Sequence, residues 1–194
     1  MGHWGKIAIV LGGSERVWSD LERAQQFCAD NNLEPEYYAA NDMIAEFSGP
    51  CVAVTLHPDK LSGWLIRRTN SKFPATSGVY SHNGGDSRHH PNHLITQRLQ
   101  DWGGSVGMFG YVAARHRGHE RVILCGVPMD GGNHFIRKSK WIAFSAFVRS
   151  WHNHRDQMLP HCRSVSGGLT GELFGEPTAE WATQAEEMTC SAMQ

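Results

Sequence analysis

The sequence predicts an α/β fold, a Rossmann-like, doubly wound and mostly parallel sheet, on three observations. Two apolar runs, Ile7-Ala8-Ile9-Val10-Leu11 and Val122-Ile123-Leu124-Cys125, lack the alternation of a half-exposed strand and read as strands buried on both faces. Strand-like and helix-like segments alternate along the chain, which implies right-handed crossovers between parallel strands. The strand-like runs end in glycine or short polar turns, the places where such a sheet binds its ligands.

The elements follow in order. The first strand runs straight into Gly12, Gly13 and Ser14, and a helix is expected from Val17 to Asn31, its unpaired amides and positive dipole end aimed at whatever binds there. Glu36-Tyr37-Tyr38-Ala39-Ala40 makes a short second strand, and residues 51–56 a third that ends in His57-Pro58. Leu61, Trp64 and Leu65 at helical spacing place a helix over 60–70, and Gly78-Val79-Tyr80-Ser81 reads as a weaker strand. A small-residue helix over 104–117 is stopped by Gly118, and the strand Arg121–Val127 follows at once. A helix over 138–151, carrying Trp141, Ile142, Phe144, Phe147 and Val148, is expected to pack on the sheet, and Val165 to end the last strand before a Ser166-Gly167-Gly168 rim loop. Residues 1–182 are expected to form one nucleotide-binding domain and residues 183–194 a polar tail, either loose or used for subunit contacts in a homo-oligomer.

With 194 residues the chain fits one domain of about 100–200 residues with a proper core. A net charge of −1 supplies no global field for nucleic acid or an acidic membrane, so neither is expected as a partner. Five cysteines without CxxC spacing read as reduced, and no apolar run reaches the roughly 18 residues of a membrane span; a cytoplasmic protein, of a bacterium or a phage-infected host, is expected.

Folding would bring five polar segments to one rim: Gly12–Ser14, Asn41-Asp42, His57–Asp59, Ser81–Asn83 and Pro128–His134, the last including Met129 and Asp130. The first turn is a phosphate cradle in outline, although it has neither GxGxxG nor GxxxxGK[ST]. Asn41 and Asp42 lie where a side chain reads ribose hydroxyls or a base edge, and Gly104, Ser105 and Gly107 open a second helix whose amides can hold an anion. Arg137, Lys138 and Lys140 are the nearest candidates to neutralise phosphate, ahead of the solvated face of Arg67, Arg68 and Lys72. Trp18, Trp64, Trp141 and Trp151 suit core packing, and Trp102 sits in a turn where a base can stack.

Of twelve histidines, His57 and His134 follow strands directly and are the candidate catalytic bases. His89, His90 and His93 form HHxxH in a polar loop over 81–92; a structural zinc site needs four fixed ligands, so the loop reads as a lid and no metal site is assigned.

The set Val10-Leu11-Gly12-Gly13-Ser14, Asn41-Asp42, and Gly104-Ser105-Val106-Gly107 leading to Gly118-His119-Glu120-Arg121-Val122-Ile123-Leu124-Cys125-Gly126-Val127-Pro128-Met129 distantly resembles two linked groups. One is the bacterial CMP-sialic-acid-dependent oligosaccharide sialyltransferases; the other is the motility-accessory and hydroxymethylpterin diphosphokinase-like proteins. Both show a strand ending in a G-x-G-P-S-like turn, an Asn after the second strand and a small-residue helix leading into a G-h-x-x-I-x-L-x-G-x-D run. The resemblance implies a nucleotide or nucleotide-sugar pocket in which Gly12, Gly13, Ser14, Asn41, Ser105 and Gly107 contact the ligand. This turn lacks the proline, Pro128-Met129 replaces Ile-Asp, and Asp130 comes one place late. Segments like His57-Pro58-Asp59-Lys60-Leu61 and Arg163-Ser164-Val165-Ser166-Gly167 also resemble uncharacterised proteins of tailed phages and their hosts.

Three functions follow: a nucleotide-sugar-dependent, glycosyltransferase-like enzyme, with a nucleotide or nucleotide sugar as its small-molecule ligand and no cofactor assigned; a phage-type protein that binds and sequesters a nucleotide signal without turnover; and an adaptor with a relict pocket. Turnover, intact recovery of ligand, and a melting temperature indifferent to nucleotide distinguish them in that order.

Overall fold

A computed structural model describes residues 7–83 and 92–183. Seven parallel strands form one sheet in the order β5-β4-β3-β2-β1-β6-β7. They are β1 (Ile7–Leu11), β2 (Glu36–Ala40), β3 (Val52–Thr55), β4 (Val79–His82), β5 (Gln97–Leu99), β6 (Arg121–Cys125) and β7 (Cys162–Ser164). The helices are α1 (Val17–Asp30), α2 (Met43–Glu46), α3 (Leu61–Asn70), α4 (Val106–His116), α5 (Ser145–Asn153), α6 (Arg155–Met158), α7 (Gly168–Phe174) and α8 (Ala179–Thr183).

The apolar runs do what the absence of alternation required. Ile7, Ile9 and Leu11 point into a core shared with α1, α2, α3 and α8, while Ala8 and Val10 point into a second core shared with α4, α5, α6 and α7. Helix α4 lies close on the sheet because its residues are small: a methyl group on Gly110 would come within 2.6 Å of a Val10 methyl. The fully buried Trp151 indole fills the second core and donates from Nε1 to the Gly104 carbonyl at 3.0 Å. The four described cysteines are free and buried.

Two expectations are corrected, and one strand has no counterpart among those expected. Strand β5 is a short edge strand, Gln97-Arg98-Leu99, in which only Leu99 is buried; too little apolar pattern marks it in the sequence. The helix expected over 138–151 begins only at Ser145 after a single 3₁₀ turn, Ile142–Phe144, and Trp141 and Ile142 stay 37% and 81% exposed rather than packing on the sheet. Trp18 is 42% exposed, with its edge against Phe135, so it is not a core residue. The tail beyond 183, with His89, His90 and most of the 81–92 loop, lies outside the described residues. Among the described residues no cluster of metal-ligating side chains occurs, and no helix is long and apolar enough to cross a membrane.

Two charged clusters brace the scaffold. The buried Arg68 guanidinium donates to the carbonyls of Ile44, Phe47, Gly49 and Pro74, collecting the orphan acceptors where α2 ends. It is therefore structural and not a phosphate ligand; Arg67 is likewise taken, by Glu46. At the N-terminal edge of the sheet, Glu36 accepts from Arg117 at 2.7 Å and 3.1 Å and from Tyr38 at 3.0 Å, and lies 2.7 Å from His119 Nε2. Burial alone would raise the Glu36 carboxyl, but the bonds from His119, Arg117 and Tyr38 outweigh it and hold it below its ordinary value of 4.5.

A carboxyl with a depressed folded pKa adds stability that is present above the unfolded pKa and is lost as pH falls through the folded one. Glu36→Gln should therefore cost about 1–2 kcal/mol at neutral pH. The gap from the parent should close as pH drops below 4.5. Urea unfolding across that range measures it.

Candidate ligand-binding site at the sheet switch point

The chain leaves β1 in one direction, toward β2, and β6 flanks β1 on the other side, so the strand order reverses between β1 and β6. Register places Leu11 opposite Cys125, which sets two glycine turns edge to edge: Gly12 after β1 and Gly126 after β6. The Gly12 amide donates to the Cys125 carbonyl at 2.8 Å, and the Ser14 amide to the Gly126 carbonyl at 3.1 Å. Gly126 has φ +68°, and its amide is held at 2.8 Å by the carboxylate of Asp20, a 3%-exposed residue reaching over from α1. Burial pushes the Asp20 carboxyl up, against the lowering effect of the Gly126 amide, Ser166 and the Arg23 and Arg16 cations.

Above these turns lies a cavity of about 600 Å³. Gly12, Gly13, Ser14, Asn41, Asp42, His57, Ser105, Gly107, Met129, Asp130 and His134 all line it. Two expected members stand elsewhere: Gly104 faces Trp151 and Met108, and the Ser81–Asn83 segment ends its strand outside the cavity. Trp102 is not in the wall either, because its ring is stacked on His154 at 4.8 Å. Of the loop cations only Arg137 lines the cavity, joined by Lys60, while Lys138 and Lys140 do not.

The anion-holding end of the site differs from expectation. The amides of Ser14, Glu15, Arg16 and Val17 are accepted by Gly126, Asn133, Ser14 Oγ and the Ser14 carbonyl, so within residues 12–17 only the Gly13 amide is open. The turn is consumed by pairing with the Pro128–His134 loop, where Ser14 and His134 form a bridge and the Phe135 amide donates to the Gly13 carbonyl. Helix α4 supplies the free pole instead. Val106 and Gly107 line the cavity, and no acceptor among the described residues takes their amides.

Backbone strain concentrates here. Asn41 (φ +51°), Ser105 (φ +139°) and Met129 (φ +55°) are all non-glycine residues at positive φ on the cavity wall. Each such conformation costs on the order of 1–3 kcal/mol and persists only where the surroundings over-determine it, as they do at ligand sites. Ser105 turns its hydroxyl toward the Met129 sulfur at 3.9 Å, a weak partner, and so keeps it at the mouth of α4.

The polar side chains are aimed by residues that the sequence did not single out. Thr55 donates from Oγ1 to Asn41 Oδ1 at 2.8 Å and accepts the His57 amide at 2.8 Å, so the Asn41 NH₂ group is left to donate. Trp64 donates from Nε1 to Asp42 Oδ1 at 2.9 Å, leaving Oδ2 to face His134 Nε2 at 3.5 Å and Arg137 at 3.7 Å. Thr55 does leave a trace, a lone hydroxyl closing an apolar strand; Trp64 reads only as core. Asp130 is occupied, accepting the Gly132 amide and pairing with Arg16 at 3.0 Å, so it fixes the loop.

The two histidines differ. His134 Nδ1 accepts the amides of Ile136 at 3.2 Å and Arg137 at 3.4 Å, so the neutral ring carries its proton on Nε2. Burial pushes its pKa below 6.5, opposed by Asp42 and reinforced by Arg137. His57 is pushed below 6.5 by burial and by Lys60, and no bond from the described residues fixes the tautomer of its ring. An apolar wall of Leu56, Val106, Val127, Trp141 and Phe147 completes the cavity, with the Trp141 ring stacked on Phe147 at 5.6 Å.

The two glycines should part on substitution. A methyl on Gly12 would stand 2.4 Å from the Gly126 carbonyl oxygen, whereas one on Gly13 would meet only the His134 ring, at 2.9 Å. Gly12→Ala should cost about 3 kcal/mol and Gly13→Ala under about 1 kcal/mol, read from thermal melts.

No protein-family model and no curated protein matches the chain. Its fold matches crystal structures of the sialyltransferase CstII. The complex with a trisaccharide acceptor and CMP superposes with a TM-score of 0.56 at 9% identity, over 90% of this chain and 87% of that one. The Campylobacter jejuni enzyme with cytidine-5′-monophosphate gives 0.53 at 9% identity, over 92% and 87%. The same enzyme with CMP-3FNeuAc gives 0.53 at 8% identity, over 90% and 87%. At these identities the likeness is one of fold: the chain shares its architecture with CMP-sialic-acid-dependent sialyltransferases.

Proposed function

We propose that the protein binds a nucleotide sugar at the β1–β6 switch point and transfers its glycosyl group to a hydroxyl acceptor. One observation carries the reading: a single cavity combines the open amides of α4, a free Asn41 amide, and two imidazoles whose pKa values are depressed by burial. The likeness in fold to enzymes solved with CMP supports it.

The parts take roles from their geometry. The Val106, Gly107 and Gly13 amides with the Ser105 hydroxyl hold the phosphate, Asn41 and Asp42 read ribose or base, and Lys60 and Arg137 balance the ligand's charge. His134, protonated on Nε2 while neutral, is a hydrogen-bond donor to the departing phosphate rather than a base. His57 accepts the acceptor hydroxyl's proton as its oxygen forms the new bond to the anomeric carbon. The old anomeric C–O bond breaks, and its electron pair leaves on the nucleotide phosphate.

CMP at 100 times its dissociation constant should stabilise the fold by about 2.7 kcal/mol, visible as a rise in melting temperature. Asn41→Ala should weaken that binding by about 1–2 kcal/mol. Incubation with a panel of nucleotide sugars and oligosaccharide acceptors, followed by mass spectrometry, should show released nucleotide. Intact recovery of every donor would leave binding without transfer.

The base role also sets a pH dependence. His57 works only when neutral, so kcat/KM should be flat near pH 7 and fall tenfold per unit below a pKa lying under 6.5. His57→Ala should lower kcat by about 10²–10⁴-fold and abolish that limb.

A further inference from the structure

Beside the cavity mouth, residues 136–143 are exposed without interruption. Residues 136–141 end a small hairpin held by its own backbone, and Ile142 and Ala143 open the 3₁₀ turn that follows it: Asn133 bridges Lys140, the His134 amide donates to the Ser139 carbonyl at 3.0 Å, and the Trp141 amide donates to the Gly132 carbonyl at 3.1 Å. This protrusion presents Ile136 (43% exposed), Trp141 (37%) and Ile142 (81%) beside Arg137, Lys138 and Lys140. No Asp or Glu occurs between Asp130 and Asp156, although acidic residues outnumber Lys and Arg over the whole chain, 19 to 18.

We propose that this hairpin docks the protein on an anionic lipid surface. Apolar side chains and a tryptophan interleaved with cations are what the interface between headgroups and acyl chains selects: isoleucines enter the apolar layer, the indole sits at the boundary, and lysines reach back to the phosphates. Residues 131–143 themselves carry no carboxylate; Asp42 lies 3.7 Å from Arg137 and Glu15 accepts from Asn133, while Lys138 and Lys140 have no carboxylate partner among the described residues. A nucleic acid would call for planar faces to stack on, and two of the three apolar residues are branched aliphatics. The attachment is local, which is why the chain's near-neutral total charge conceals it. It does not depend on the transferase reading. Where that reading holds, Arg137 and Trp141 also line the cavity, so docking would set the mouth against the bilayer and point to an acceptor carried on lipid.

Flotation of the full chain with phosphatidylcholine vesicles, with and without phosphatidylglycerol, tests this. The protein should float only with the anionic vesicles, and less so as salt is raised. Each neutralised cation should weaken partitioning about five-fold, so Lys138→Gln with Lys140→Gln should lower it about 25-fold. Ile142→Asp should abolish flotation with an unchanged melting temperature. Failure of the parent to float with anionic vesicles, or equal flotation of Ile142→Asp, would overturn the proposal. So would protection of the hairpin from hydrogen exchange by CMP alone and not by vesicles, which would assign it to closure over the cavity. None of these readouts requires transfer, so the proposal can fail while transfer stands.

Discussion

Everything at the binding edge depends on two backbone turns lying against each other with nothing between them. The turn after β1 and the turn after β6 share hydrogen bonds from Gly12 to Cys125 and from Ser14 to Gly126, at a separation that excludes even one methyl group. A buried carboxylate, Asp20, holds the second turn by its amide, and burying that charge is tolerated because the amide, a hydroxyl and two cations surround it. From this seam the cavity opens, because the chains leaving it must diverge to opposite faces of the sheet. Loops from β2 and β3 then close one side, and the start of α4 closes the other.

Much of this architecture is legible in the residues. Buried strands with no alternation announce a sheet covered on both faces, and six of the seven strands, with α1, α3 and α4, fall close to where periodicity puts them. Strand β5 escapes because three residues on a polar edge generate no pattern. The segment before α5 misleads because apolar residues at helical spacing usually mean a packed face, whereas Trp141 and Ile142 remain in solvent. Spacing reports which side chains share a face; it does not report whether anything covers that face.

The candidate site is legible at the level of position and not of wiring. Rules about strand ends place Gly13, Asn41, His57 and His134 around one space. The same rules assign the anion to the turn that leads into α1, but the Ser14 and Glu15 amides there are consumed by Gly126 and Asn133, more than a hundred residues away. Likewise residue type alone does not reveal that the loop after His134 curls its Ile136 and Arg137 amides onto Nδ1 and so chooses its tautomer, or that Asn41, Ser105 and Met129 are held in costly conformations. Those properties belong to the assembled loops.

The bond from the Trp64 indole to Asp42 carries a consequence for how such a protein diversifies. An indole planted in the hydrophobic interior orients a carboxylate in the cavity, so interior and ligand preference are not separate traits. Exchange of that tryptophan for another bulky apolar residue would leave the packing nearly whole and release the carboxylate to turn toward a different ligand group. Drift in the interior is thereby a route to altered specificity, open to a lineage through one side chain that both fills the core and lines the cavity.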